Sequence, residues 1–305
     1  LLALTCKARI LCLIAKPEAP MTQFPCSDPV MLSYWHPVVS LDELQRAGAC
    51  DTRLLDRAVQ IRALAGGGAG VTSDGVTVLS QTRYGYVWAS FGDDPRPLFP
   101  FPEFLENDRR FVVTGVFGVN ASAGRVIENF LDMGHFPYVH TGILGEEPHT
   151  EVKEYDVEVS EARDEVLATN CRFFQPQAAV SSSEGMDVEY TYRVPHPNCA
   201  ILYKSSPVAG RLDAIFIFVQ PMGEDQVRAH SGMCILDETS SDLDIRRFQQ
   251  VIFAQDKPIL ENQYPRCLPL DPRAETPIRA DKSAIAYRRW LASKGLGWGV
   301  VPVAG

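Results

Sequence analysis

The chain has 305 residues, enough for one large domain or two modest ones, and its 46% apolar and 22% charged residues are those of an ordinary globular protein. Twenty-nine Lys plus Arg against 38 Asp plus Glu leave a net charge of -9 with no basic block. That balance excludes the electrostatic footprint of a nucleic-acid binder or of a protein held on an anionic membrane.

In chain order, residues 1–16 are apolar but interrupted by Lys7 and Arg9, which fits neither a signal peptide nor a membrane span. Residues 1–20 read as an upstream or expression-derived segment. Strand-like runs at Tyr34–Val39 and Leu54–Ile61 flank a helical turn at Leu41–Gln45. The run Gly66–Gly70 cannot pack a core and predicts a flexible join. Tyr84–Phe91 reads as a strand closed by the turn Gly92-Asp93-Asp94-Pro95. Residues 95–104 carry four prolines among aromatics, the composition of a linker draped over a surface, and the domain boundary is placed there. The expected units are therefore residues 21–104 and 105–305.

In the second unit Phe111–Val119 is strand-like and Ala123–Met133 helical. Six β-type runs follow: Glu151–Val159, Glu165–Phe174, Val188–Val194, Ala200–Tyr203, Ala214–Val219 and Val227–Leu236. Turn signals separate them, as in an antiparallel sheet of consecutive strands. Ser240-Ser241-Asp242 then predicts a helix start for Leu243 to about Gln263, and a last helix covers Lys282–Ala292. The fold class is α+β, with a helix able to lie across the concave face of the sheet. Eight cysteines without a C-x-x-C pair suit a reducing cytosol rather than a disulfide scaffold.

The informative stretch runs from Glu128 to His140. On one continuous helix His135 and His140 would point about 140° apart, too divergent to share a metal easily. Gly134 weakens that helix and Pro137 cannot continue its hydrogen-bond ladder, so a break can turn both rings toward one point. Asp132 stands three residues before His135, where a carboxylate on the same helical face can orient the ring. On spacing alone, two histidines five apart are more often unrelated than joint ligands.

Asn129, Asp132, His135 and His140 reproduce the pattern Asn-x-x-Asp-x-x-His-x-x-x-x-His, and the stretch continues through Thr141-Gly142-Ile143-Leu144-Gly145. It resembles the catalytic signature of the α subunits of Rieske non-haem iron oxygenases, in particular the vanillate O-demethylase and related ring-hydroxylating branch. The resemblance extends from about Tyr84 to Trp290, more weakly over Tyr34–Ile61. It implies a helix-grip-like catalytic domain with a mononuclear Fe(II) held by two His and one carboxylate, leaving positions open for oxygen and an adjacent substrate. His135 and His140 are the implied histidine ligands. The carboxylate should lie on the long C-terminal helix, where Ile252, Asp256, Ile259 and Leu260 share one face. Asp256 is thus a charge among apolar neighbours, which a metal would compensate. The competing readings of Asp256 are a salt bridge to an Arg, or exposure if Pro258 kinks the helix; Glu261 is the weaker substitute. Asp132 would orient His135 and, in the intact family, bridge to a neighbouring subunit's cluster, and Asn129 would help hold the helix. His149, His196 and His230 read as structural or surface residues. Phe216, Phe218 and Tyr203 suit a pocket lining or a core equally.

A Rieske centre needs C-x-H and C-x-x-H pairs, and the sequence has neither. The flanks resemble a small all-β Rieske domain, with the glycine run where the cluster loops would belong. The two-iron two-sulfur cluster expected for the family therefore lacks its ligands in this chain. The resemblance implies Fe(II)- and O2-dependent hydroxylation or O-demethylation of a small aromatic compound, with a reductase or ferredoxin as electron donor and a trimeric homo-oligomer. A non-catalytic module with an apolar ligand pocket is the second reading and a metal-dependent hydrolase the third.

Overall fold

The structure is a computed structural model that describes residues 25–303 except 181, 183, 207 and 209; the expectation for residues 1–20 lies outside the described residues. A single turn, α1 (Pro29–Leu32), leads into strand β1 (His36–Ser40). Ser40 then caps α2 (Leu41–Ala47) by accepting from the Glu43 amide at 3.2 Å. Strands β2 (Ala49–Leu54), β3 (Arg57–Ala63), β4 (Ala69–Ser73) and β5 (Val76–Thr77) form a four-stranded sheet in that order. Strands β6 (Leu79–Arg83) and β7 (Tyr86–Ser90) complete a second sheet, ordered β1-β7-β6.

Two expectations need correction here. The run Leu54–Ile61 is two strands, because Leu55 and Asp56 both take positive φ and reverse the chain. The glycine run is no flexible join. Ala63 pairs with Ala69, Gly66 to Gly68 carry the turn at positive φ, and Gly70 is a strand residue. Glycine's freedom serves an in-register reversal as readily as a loose linker, and the strands on either side decide which.

The proline-rich segment is anchored rather than loosely draped. Tyr84 donates its hydroxyl proton to the Phe99 carbonyl at 2.5 Å and accepts from the Phe101 amide at 3.1 Å. Phe99 and Phe101 are buried with Tyr84, Tyr86 and Trp88. Beyond it come β8 (Arg110–Val119), α3 (Ala123–Leu131), the short α4 (Phe136–Val139), β9 (Asp156–Ser160), β10 (Glu165–Gln175), β11 (Met186–His196), β12 (Cys199–Ser205), β13 (Leu212–Gly223) and β14 (Gln226–Ile235). Helix α5 (Asp242–Glu261), β15 (Leu268–Pro269), α6 (Lys282–Ser293) and β16 (Val300–Val301) follow. The large sheet is antiparallel and ordered β8-β14-β13-β12-β11-β10-β9, so six consecutive strands form a meander and β8 closes its edge. The architecture is mixed α and β with antiparallel sheets.

Alternation along the strands gives this sheet two faces. Phe216 and Phe218 join the aromatic cluster around Tyr86 and Trp88, with Tyr203 packed against it. They are core on the far face, and the pocket-lining alternative for them is ruled out. Leu202, Ile215 and Ile217 face the other way, toward the helices. Helix α5 crosses that side: Phe253 stacks on Phe117 of β8 with ring centres 4.0 Å apart, and Gln250 donates to the Thr114 carbonyl at 2.8 Å. Helices α3 and α6 are joined by ion pairs. Arg125, 1% exposed, binds Glu275 at 2.7 Å, and Arg288 binds Glu128 at 2.6 Å as well as Glu275. No helix among the described residues is long and apolar enough to cross a membrane.

Candidate metal centre

Ser122 caps α3 by accepting from the Arg125 amide, and the helix stops at Leu131. Asp132 is already extended, at φ -84° and ψ 125°. Its Oδ1 accepts from the Gly134 amide at 2.7 Å and its Oδ2 stands 2.9 Å from His135 Nδ1. The Asp132–His135 contact therefore forms across a turn, not along a helical face, because the helix ends before either residue. Pro137 lies in the first turn of α4, where its missing N–H costs nothing; it starts a new helical turn rather than only interrupting the old one. Gly145 packs so closely on that turn that a Cβ would sit 2.7 Å from the Pro137 nitrogen, so the glycine after the histidine pair has a steric cause.

The break brings three side chains together. His135 Nε2 and His140 Nε2 are 3.1 Å apart, and Asp256 Oδ1 lies 3.3 Å from the first and 3.1 Å from the second. Among the described residues this is the group with metal-ligating spacing. A divalent first-row metal bound about 2.1 Å from N and O donors at right angles sets neighbouring donors about 3.0 Å apart. The triangle has those dimensions, so the donor set fits a facial two-His-one-carboxylate site.

The outer nitrogens are engaged as well. His135 Nδ1 faces Asp132, and His140 Nδ1 lies 2.8 Å from Gln255 Oε1. With the Nδ1 protons given to those oxygens, both Nε2 lone pairs point at the centre. Gln255 was missed as an orienting residue, because it neighbours Asp256 in sequence on another helical face and the sequence carries no signal for its partner. Asn129 Nδ2 reaches Asp256 Oδ1 at 3.5 Å, a marginal hydrogen bond.

Asp256 is 8% exposed and has no Arg partner among its ion pairs. Helix α5 runs through Pro258 to Glu261, so neither the salt bridge to Arg nor the outward turn occurs. Glu261 spends its carboxylate on Lys257 and on the Asn120 amide, away from the histidines. Burial would raise the Asp256 pKa, but its bonds to His135 and His140 outweigh that and hold it below the ordinary carboxylate range. Burial would likewise lower His135, yet the carboxylates of Asp132 and Asp256 prevail and hold it up at about 9. The cluster stabilises positive charge at its centre. His196 and His230 are buried elsewhere, and burial keeps both well below the usual histidine value.

The site has two unlike sides. One opens on a cavity walled by residues such as Phe130, Ile217 and Phe253, the mostly apolar, concave lining of a small-molecule site. Tyr190 and Tyr192 line it, and their phenol oxygens are buried without a hydrogen-bond partner among the described residues. The other side of His135 faces a charged cleft that includes Asp132, Glu128, Glu275 and Arg288.

Comparison with known proteins gives this geometry its family. Residues 119–295 match the vanillate O-demethylase oxygenase C-terminal domain. A probable methylxanthine N7-demethylase, NdmC, of Pseudomonas sp. (strain TJI-51) is 47% identical over 268 residues, 87% of this chain and 95% of that protein. The methylxanthine N1-demethylase NdmA of Pseudomonas putida is 28% identical over 227 residues, 69% of this chain and 58% of that one. The fold is shared with Pseudomonas putida CBB5 NdmA with caffeine (TM-score 0.70, 20% identity, 87% of this chain and 92% of that one). It is shared also with dicamba monooxygenase bound to dicamba (TM-score 0.69, 15% identity, 87% and 97%). The chain belongs to the Rieske non-haem iron oxygenase α-subunit family, and as such it is an oxidoreductase.

Proposed function

We propose that this chain demethylates a small, oxygen-bearing aromatic compound in an Fe(II)- and O2-dependent reaction, with His135, His140 and Asp256 as the iron ligands. The observation that carries the reading is the triangle of donor atoms, none more than 3.3 Å from another, at an apolar pocket. Bound there, the metal supplies dioxygen activation beside the substrate. Asp132 and Gln255 keep the two rings turned with Nε2 inward, and Asn129 steadies the Asp256 carboxylate. The apolar walls exclude water, while the unpaired phenols of Tyr190 and Tyr192 offer partners to ring heteroatoms or carbonyls. Given the 47% identical N7-demethylase, an N-methyl group on a methylxanthine-like ring is the first candidate and an O-methyl aromatic the second.

We read residues 21–104 as a truncated Rieske-like domain with its linker, and residues 105–305 as a helix-grip catalytic domain with α5 across the sheet. Short turns close β2 to β5 where cluster loops would project. Together with the missing C-x-H and C-x-x-H pairs, these turns favour a chain built without its own two-iron two-sulfur cluster, supplied with electrons by a separate reductase or ferredoxin. A homotrimer follows from the family resemblance, and a cytosolic location suits the cysteines, which are all unpaired among the described residues.

In the balanced reaction one oxygen atom goes to the methyl carbon, which leaves as formaldehyde. The other oxygen becomes water with two electrons and two protons. Iron-loaded protein given a reductase, a Rieske donor, NADH and 7-methylxanthine or vanillate should release one formaldehyde per NADH. Binding of these compounds without formaldehyde would favour a non-catalytic pocket instead.

A further inference from the structure

The pocket contains one group that the demethylase reading does not use. Lys204 lies on β12, paired with Tyr190 of β11 and Asp213 of β13. It lines the metal-side cavity and also an outer cavity, with Ile215, Phe248 and Gln249 common to both. Lys204 therefore stands at the neck between the two.

Its ammonium donates to Gln175 Oε1 at 2.9 Å and to the Ala178 carbonyl. Both acceptors are neutral, and one of the three N–H groups has no acceptor among the described residues. No carboxylate among the described residues comes within 4.0 Å of it. The acidic groups facing the outer cavity are committed elsewhere: Asp213 accepts from the Leu236 amide at 2.8 Å, and Asp237 accepts from Thr239 and Ser240. Burial lowers the Lys204 pKa to about 8, opposed only by the charge of Asp213. A methionine of similar length would fill the same space without this desolvation cost, since even a half-buried ammonium without a counter-ion is costly.

We propose that Lys204, held by Gln175, anchors an anionic oxygen of the substrate, such as the enolate-type oxygen of a deprotonated ring imide in a methylated heteroaromatic. The inference rests on the demethylase reading and names its substrate class. Substrate enters past the neck, exchanges the missing counter-ion for its hydration, and is fixed at one end while its methyl group faces the histidines.

Equilibrium binding to iron-loaded protein without reductant tests this independently of turnover. The probes are 7-methylxanthine, which can lose a ring N–H proton, and caffeine, which has none to lose. Lys204→Met should weaken 7-methylxanthine about tenfold or more while caffeine changes less than about threefold, the loss expected of one charge-assisted hydrogen bond. Lys204→Arg should restore most of the affinity. Lys204→Gln, which keeps a polar side chain, serves if the Met variant melts early. Equal losses for both probes, or no loss for 7-methylxanthine, would overturn the proposal. If 7-methylxanthine fails to bind the wild type, the methylxanthine reading fails, and if either xanthine fails to bind, vanillate against vanillyl alcohol decides on Lys204 by the same criterion. Failure of the wild type to bind vanillate as well would overturn it.

Discussion

His135 and His140 hold their Nε2 atoms 3.1 Å apart, five residues from one another, on a chain that has already left α3 at Leu131 and makes the short helix α4 between them. Two imidazole lone pairs at that distance repel unless a proton or a cation stands between them. With Asp132 and Gln255 occupying the Nδ1 atoms, the arrangement is set up for a cation. Helix α5 contributes the third donor from more than a hundred residues away, positioned by the Phe117–Phe253 stack and the Gln250 bond to β8.

Asp132 acts through His135. Asp132→Asn keeps a side-chain oxygen for the turn but loses the charge, so the protein should retain most of its iron with affinity lowered about 10- to 100-fold, the usual range for a partner behind a ligand. Iron titration against a competing chelator measures this. Iron loss as complete as in His135→Ala would make Asp132 a direct ligand.

The chain should carry no iron–sulfur cluster, since no cysteine stands in a C-x-H or C-x-x-H context. Anaerobically prepared protein should show neither visible charge-transfer bands nor acid-labile sulfide. Stoichiometric sulfide would contradict this.

Sustained turnover should need a separate Rieske protein. Demethylation consumes two electrons per oxygen molecule, and the ligand pairs for a cluster that would store one of them are missing from this sequence. NADH and a reductase without a cluster should give no continuous product, whereas hydrogen peroxide, which carries the oxygen and both electrons, should give up to one product per iron. Many turnovers with NADH and no added Rieske protein would refute the account.

The ion pairs that join α3 to α6 should dominate the stability of this region. Arg125→Met leaves Glu128 and Glu275 with Arg288 alone, and losing charge-assisted bonds in this half-buried network costs about 1.5–3 kcal/mol. Urea unfolding should show a loss of that order. A loss below about 1 kcal/mol would mean that water or Arg288 compensates.

Much of this was legible in the sequence. The Ser241 cap, the meander of strands and the interruption of the helix ahead of Pro137 follow from local rules of capping, alternation and proline geometry. Other features depended on contacts across the fold. Which face of β13 meets the helices is undecidable when Ile215, Phe216, Ile217 and Phe218 are all apolar, so the phenylalanines could not be separated from the pocket. The glycine run became a hairpin because its flanking strands pair, which composition does not reveal. Gln255 and Lys204 gain their roles from partners more than 25 residues away, and no spacing rule points to them.

The central claim is a mononuclear iron site built by His135, His140 and Asp256, and metal analysis tests it most directly. Wild-type protein reconstituted anaerobically with ferrous iron and desalted should hold about one iron per chain. His135→Ala and Asp256→Ala, each checked for an intact fold by circular dichroism and thermal melting, should lose it. Unchanged iron occupancy in both variants would contradict the assignment.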